Sequence, residues 1–336
     1  MNKIKFMPDL LTGRLNEYDA KRYFARVGWF AFTYFMLYSS IVTVGIMVTA
    51  TFFPSAYESF LFSELLSVIP SYAIALPIAY QLLRPLPSVT PDKEKMKVSH
   101  WFCGLSISVA LMIAGSYISN IILAMFSMAL GGNVTAQNPV TTVIESTPLW
   151  ATILFVVILA PILEELLFRK ILCKRLLLLG EGYAIIIPSA IFALCHGNFF
   201  QIFYAFTLGC FFSFIYVRTG KLHYTILYHM AINLLGTVIS PFVLSKIDLD
   251  ALSSGSFSIN AGNILPLLGF LWYEVIIFGS AIFGIALIVK NYKSFKPQSG
   301  LLPPPERRGV TCVVMNAGTA AAIAVFAFTL LGSLFT

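Results

Sequence analysis

The stretch that decides the fold is residues 149–170, which read LWATILFVVILAPILEELLFRK. No charged residue occurs before Glu164 and Glu165, which are followed by Arg169 and Lys170. A helix needs about 20 apolar residues to cross the hydrocarbon of a bilayer. The stretch therefore predicts a membrane-spanning helix over 149–168 that carries two adjacent carboxylates near one end.

The composition of the whole chain agrees with this first span. Of the 336 residues, 58% are hydrophobic and only 11% are charged, with a mean hydropathy of +0.84. An ordinary globular protein has about 25% charged residues, so most of this chain could not present a wettable surface. The composition excludes a soluble enzyme, a disordered chain and a nucleic-acid binder, and it makes the lipid bilayer the main solvent.

The apolar runs of the sequence predict an all-α polytopic integral membrane protein with about 8–9 transmembrane helices. For the region 185–217 the alternative is one long helix with a re-entrant piece, but Pro188 and the pair Gly197 and Asn198 favour two helices there. The apolar runs are 27–53, 60–83, 101–130, 149–168, 185–198, 199–217, 222–245, 264–289 and 310–335.

The distribution of the basic residues predicts the orientation. Lys and Arg are retained on the cytoplasmic side of membrane proteins. With a cytoplasmic N-terminus, 21 of the 22 basic residues fall in cytoplasmic segments, and only Lys246 falls outside. We therefore expect an integral protein of a bacterial cell membrane with its N-terminus in the cytoplasm and its C-terminus outside. The predicted organisation is a cytoplasmic segment 1–26, N-terminal transmembrane helices 27–130, a core 148–245 and C-terminal helices 246–336.

The five cysteines do not suggest a disulfide framework or a zinc cluster. Their number is odd, no CxxC pair occurs, and all lie within or beside apolar runs. We expect them to be small core residues.

The two adjacent glutamates are the strongest anomaly, because an ionisable group inside an apolar helix costs at least a few kcal/mol unless it has a partner or water. Glu165 and Arg169 are four residues apart and can pair on one helix face. Glu164 points about 100° away and has no local partner. The alternative is a cluster at the membrane edge, with long side chains that reach toward water.

Two further predicted spans carry polar residues. His196 lies in an otherwise apolar helix, where a single histidine is more often a packing residue than a catalyst. His229 and Asn233 are four residues apart and therefore share a helix face. Hydrogen bonding between helices is the alternative explanation for that pair.

The polar residues of the three predicted helices lie at similar depths below the cytoplasmic face of the membrane. At a rise of 1.5 Å per residue, Glu164 lies about 6 Å and His229 about 10 Å below the cytoplasmic face. His196 lies about 12 Å deep if Pro188 begins its helix, a position that proline favours. We therefore expect one polar layer in a membrane cavity that opens toward the cytoplasmic side.

The ordered set resembles the signature motifs of the CPBP intramembrane proteases. This family includes the CAAX prenyl endopeptidases and the bacteriocin-processing and self-immunity proteins of the Abi type. The matching residues are Glu164, Glu165, Arg169, Phe192, His196, His229 and Asn233, with Thr219-Gly220-Lys221-Leu222 before the last motif. The resemblance covers the core 148–245. Lys170 and the pair Gly197 and Asn198 depart from the common pattern outside the motif positions.

The resemblance implies an intramembrane endopeptidase. Glu164 and His196 would hold and activate water, His229 and Asn233 would face the oxyanion, and Glu165 would orient the site through Arg169. The implied substrate is a membrane-anchored or lipid-tethered protein or peptide, with no role for nucleic acid.

Metal dependence is left open by the residue types. Glu164, His196 and His229 could bind Zn²⁺ with water in the fourth position. No HExxH helix is present, and the family resemblance favours a glutamate mechanism without a tightly bound metal. We expect no cofactor, with zinc as the alternative.

Two other functions compete with proteolysis. One is a catalytically silent immunity or scaffold protein of the same fold. The other is a proton-coupled transporter, which is disfavoured because no inverted repeat of broken helices is evident. Glu274 is another intramembrane carboxylate, and we expect it to bond to a Ser or Tyr of a neighbouring helix.

Overall fold

The computed structural model describes residues 13–132, 134–256 and 262–335. Within these ranges the chain consists of helices and loops, with an isolated β-bridge between Gly180 and Ser299. The prediction of an all-α polytopic membrane protein is confirmed. The expected segment 1–26 is described only from residue 13, so Lys3 and Lys5 lie outside the described residues.

Seven helices of the described chain are long and apolar enough to cross a membrane, and two shorter apolar helices accompany them. We number these nine in chain order. They are α1 (Glu17–Phe52), α2 (Phe60–Leu83), α3 (Val98–Ala129), α4 (Leu149–Leu176), α5 (Glu181–Cys195), α6 (Phe199–Thr219), α7 (Leu222–Leu244), α8 (Ile264–Lys290) and α9 (Ala317–Gly332). Short helices at Pro54–Tyr57, Pro139–Ser146, Leu249–Ser253, Tyr292–Phe295 and Gly309–Val314 lie in the connections.

Two predicted boundaries are wrong. Helix α4 does not end near Phe168 but continues to Leu176, so its 28 residues span about 42 Å. Helix α5 begins at Glu181, and Pro188 lies inside it instead of starting it. Gly180, at φ +137°, interrupts the helical path before Glu181. Membrane helices tolerate an internal proline when other groups satisfy the freed backbone.

The basic loops meet at one end of the bundle. Backbone hydrogen bonds connect Leu15 N to Pro303 O (2.9 Å), Val89 N to Lys174 O (2.8 Å), Glu94 N to Thr219 O (2.9 Å) and Glu181 N to Gln298 O (3.0 Å). At the opposite end, Thr135 N donates to Leu334 O at 3.0 Å. The described chain therefore starts at the basic end and finishes at the other, as an odd number of crossings requires. The assignment of the basic end to the cytoplasm stays a prediction.

Small residues allow the central helices to approach closely. A Cβ on Gly115 of α3 would clash with the backbone of Tyr204 in α6. A Cβ on Gly209 of α6 would lie 3.0 Å from the Cβ of Ser189 in α5. Such contacts are typical of helix packing in membranes. They bring α6 into close contact with α3 and with α5.

Candidate active site

Helix α4 places the two glutamates in different surroundings. The side chains of Glu165 and Arg169 are both 0% exposed and form an ion pair, with Arg169 Nε 3.1 Å from Glu165 Oε2. Nε of Arg169 and Oε2 of Glu165 are close, but their geometry does not meet the angle of a hydrogen bond. Glu164 is 23% exposed. The predicted pairing of Glu165 with Arg169 is confirmed, whereas the position of Glu164 relative to the membrane edge stays a prediction.

Aromatic rings enclose the Arg169 guanidinium. Its Cζ lies 5.2 Å from the ring centre of Phe192 and 5.8 Å from that of Phe212. Nη2 also donates to the carbonyl of Gly209 at 3.3 Å. Ring faces attract a cation, which offsets part of its desolvation. Arg169 therefore joins α4 to α5 and α6 directly behind the site.

His229 lies between the two glutamates. Its Nδ1 is 3.1 Å from Glu165 Oε1, and its Nε2 is 3.4 Å from Glu164 Oε2. The residue is 6% exposed. Glu164 is therefore not free, as its helix position suggested, because α7 supplies a partner that spacing along α4 could not reveal.

His196 lies at the turn between α5 and α6. Its Nδ1 is 2.9 Å from the carbonyl oxygen of Phe192, one helical turn earlier. A carbonyl can only accept, so Nδ1 carries the hydrogen and Nε2 keeps a lone pair in the neutral ring. Gly197, at φ +68°, turns the chain, and Asn198 caps α6 by accepting from Gln201 N at 3.0 Å. The Gly197 and Asn198 pair thus fixes the place of His196.

Asn233 compensates for a defect in the backbone of α4. Residues Thr152–Leu159 form π-helical turns, in which a carbonyl accepts from the fifth residue along. The partner of Val156 would then be Pro161, which has no N–H. Asn233 Nδ2 fills this position and donates to Val156 O at 2.9 Å. The proline thereby connects α4 to α7 beside the glutamates.

Four of the six predicted site residues line one cavity of about 410 Å³: Glu164, His196, His229 and Asn233. Glu165 and Arg169 do not line it but lie behind His229. The structure therefore brings together the residues that the depth estimate placed in one layer. We call this space the main cavity.

The main cavity extends away from the basic end. Its lining also includes Asn120, Asn138 and Gln201, which lie near the opposite end of the bundle. The 15-residue helix α5 carries His196 about 22 Å from Glu181, so His196 lies farther from the basic end than a helix start at Pro188 implied. The expected opening toward the cytoplasmic side stays a prediction.

A second space, the side cavity, lies on the other side of the same residues. It measures about 160 Å³ and is lined by side chains of α1 and α2. Ala160, Glu164, Phe192 and His196 line both cavities. These shared residues separate the main cavity from the side cavity.

The zinc alternative lacks a preformed ligand set. Among the described residues, no three His, Cys, Asp or Glu side chains are grouped to bind one metal ion. Both ring nitrogens of His229 face carboxylates, and one nitrogen of His196 faces a carbonyl. The residues therefore do not fit a bound Zn²⁺ in this arrangement, and whether the protein depends on a metal stays a question for experiment.

Several cavity residues were not identified from the sequence. Phe212 packs against His229 at a ring distance of 5.7 Å, and Gln201 donates to Tyr204 at 2.8 Å. Asn120 and Gln201 are uncharged polar residues inside apolar runs. That position was the sequence feature that could have identified them as cavity residues. Glu274 lines neither cavity, and its neighbour Tyr273 bonds to Ser240 at 2.5 Å.

The region of the chain that contains this site is similar to known proteins. A family model described as "Type II CAAX prenyl endopeptidase Rce1-like" matches residues 146–235, which contain all six predicted site residues. The chain is 26% identical over 188 residues to YdiL of Bacillus subtilis, named as a candidate membrane peptidase, across 52% of this chain and 72% of that protein.

It is also 34% identical over 110 residues to the membrane-embedded CAAX protease MroQ of Staphylococcus aureus. That match covers 31% of this chain and 44% of MroQ, so it spans less than half the length of that relative. No solved structure matches. The domain match, the two relatives and the ordered motifs on an apolar helical bundle support the resemblance of this chain to the CPBP family of membrane proteases.

Proposed function

We propose that this protein is an intramembrane endopeptidase that hydrolyses a peptide bond of a membrane-anchored or lipid-tethered substrate. The observation that carries the proposal is the main cavity, where helices α4, α5 and α7 present a carboxylate, two imidazoles and a carboxamide to one space. Peptide hydrolysis needs a base for water, donors for the oxyanion and an acid for the leaving amine. These four side chains can supply each role.

Glu164 and His196 are the proposed water-activating groups. The ring of His196 presents Nε2 as an acceptor because Nδ1 faces the Phe192 carbonyl. A water is held between that nitrogen and the Glu164 carboxylate. It gives up a proton to Glu164 as its oxygen attacks the carbonyl carbon of the peptide bond. The proton then passes to the amide nitrogen, the C–N bond breaks, and an amine and a carboxylic acid leave.

His229 and Asn233 are the proposed oxyanion donors. Glu165 accepts the Nδ1 hydrogen of His229, so a protonated ring has Nε2–H available beside Glu164. Asn233 uses one amide hydrogen for Val156 and keeps the second. Glu165 and Arg169 touch no substrate in this scheme, since they lie outside the cavity lining and hold His229 in place.

The experiment compares membrane peptides from cells that carry the wild type, Glu164→Ala or His196→Ala. We expect both variants to reach wild-type levels in the membrane, to lose the cleavage products and to accumulate the uncleaved substrate. Glu274→Ala is the matched control, because Glu274 is also an intramembrane carboxylate but lines neither cavity. Full proteolysis by both site variants would contradict the assignment.

A further inference from the structure

The side cavity is built in part by helices that the family match does not cover. Tyr34 and Tyr38 come from α1, and Ser67, Ser71 and Tyr72 come from α2. The match to the Rce1-like family begins at residue 146. The N-terminal helices therefore add a compartment of their own beside the family motifs.

The side cavity lies next to the residues that are proposed to cleave the peptide bond. A peptide substrate extends on both sides of its scissile bond, so a site needs space on two sides of the reacting groups. Glu164 and His196 lie in the wall between the main and the side cavity and face both. A chain whose scissile bond lies at these residues has one flank in the main cavity and the other at the side cavity.

The lining indicates which group the side cavity can take. Its volume of about 160 Å³ suits a single side chain, whereas the main cavity has about 410 Å³. Glu164 is the one charged residue in the lining. An acidic side chain would meet that carboxylate, and like charges repel strongly where water is scarce. The site therefore disfavours an acidic side chain.

Hydroxyl groups make the side cavity a hydrogen-bonding site. Tyr34 and Ser71 bond to each other at 2.6 Å and close one wall. The hydroxyls of Tyr38 and Tyr72, by contrast, bond to no other described residue, so they are available to a ligand. Phe35, Val68 and Phe168 supply apolar contact around them.

We propose that the side cavity is a specificity subsite, which binds a non-acidic side chain next to the scissile bond and offers hydrogen bonds from Tyr38 and Tyr72. This inference rests on the proposed endopeptidase function. It assigns the choice of one substrate residue to helices α1 and α2, outside the family motifs.

The test uses the full-length protein in lipid vesicles with membrane peptides varied at the two residues that flank the cleaved bond. Ser67→Phe fills the side cavity, and Ser63→Phe is the matched control, since Ser63 is exposed one turn earlier on the same helix and lines neither cavity. We expect Ser67→Phe to reduce cleavage of peptides with large side chains at one flank about tenfold or more relative to glycine. The preference for particular side chains on the other side of the cleaved bond should stay as in the wild type.

A second pair of variants covers the case in which Ser67→Phe does not fold. Tyr38→Phe and Tyr72→Phe keep the rings and remove the hydroxyls, so they should lower cleavage of peptides with Ser, Thr or Asn at that flank and spare aliphatic ones. Unchanged preferences in all folded variants, or an equal loss for every peptide, would overturn the subsite alone. If Glu164→Ala and the wild type cleave the same peptides, the proposed function fails and the subsite fails with it.

Discussion

Glu164 and Glu165 have the same chemistry, and their roles differ because adjacent residues on a helix point about 100° apart. Glu165 meets Arg169 and His229 in a space without solvent exposure. Glu164 faces both cavities and shares only one of these partners. The sequence position thus separates a group that can reach a substrate from one that positions another residue.

Glu165→Gln tests this separation. Glutamine keeps the size of the side chain, but its neutral amide no longer stabilises a protonated His229. We expect kcat to fall between about 10²- and 10⁴-fold with a much smaller change in KM, by analogy with other carboxylates that orient a histidine. Steady-state kinetics measure the split, with Glu274→Gln as the control. A change confined to KM would contradict a positioning role.

Arg169→Ala tests the ion pair itself. The variant leaves the fully buried Glu165 carboxylate without its cation and removes the contacts to Phe192 and Phe212. Breaking a buried pair by removing one partner costs about 3–5 kcal/mol. Thermal unfolding in detergent should show a clear loss of stability, whereas Lys170→Ala, at the exposed neighbouring position, should unfold like the wild type. Equal stability of the two variants would contradict the pairing.

At the scale of helices, the irregular turns of α4 matter most. A proline inside a helix cannot donate, and here the carbonyl left over at Val156 is satisfied from another helix by Asn233. The same side chain is thus a structural link between α4 and α7 and a proposed catalytic donor. Loss of activity in an Asn233 variant alone would not separate these two roles.

A double-mutant cycle with Asn233→Ala and Pro161→Ala separates them. Alanine at 161 restores the missing N–H, so the Val156 carbonyl no longer needs Asn233. Hydrogen bonds between membrane helices contribute about 0.6 kcal/mol on average and up to about 1.7. We expect Asn233→Ala to cost stability of this order in the wild type and much less in Pro161→Ala. Additive effects on unfolding would show that the two residues are not coupled.

At the scale of the whole molecule, the loops define two ends of different charge. We expect the end that contains Asp92 to face the cytoplasm and the end that contains Ser254 to face outside, because the basic residues mark the cytoplasmic side. A membrane-impermeant thiol reagent should label Ser254→Cys in intact cells and Asp92→Cys only after permeabilisation. The five native cysteines are buried or half-buried, which limits background. The reverse labelling pattern would invert the topology.

Much of the fold could be predicted because it depends on composition and periodicity. Apolar run length identified every long helix, and four-residue spacing identified the pair Glu165 and Arg169. The contact of His229 with both glutamates could not be predicted, since it depends on how α7 packs on α4. The side cavity was missed for the same reason, because Tyr38 and Tyr72 look like ordinary aromatic packing residues until α1 and α2 are placed against α4. The depth of His196 was misjudged because Pro188 does not begin α5.

The backbone hydrogen bonds between the basic loops have a mechanical consequence. They tie the chain before α1 to the segment before α9, and the start of α5 to the segment after α8, with Leu302 N also donating to Leu178 O at 2.9 Å. At the opposite end of the bundle, among the backbone bonds between described residues, the segment before Asn138 is held to the segment after α9 by the bond from Thr135 N to Leu334 O. We therefore expect a hinge motion of the bundle. The hinge lies at the basic end, and the helix ends beside the main cavity move apart.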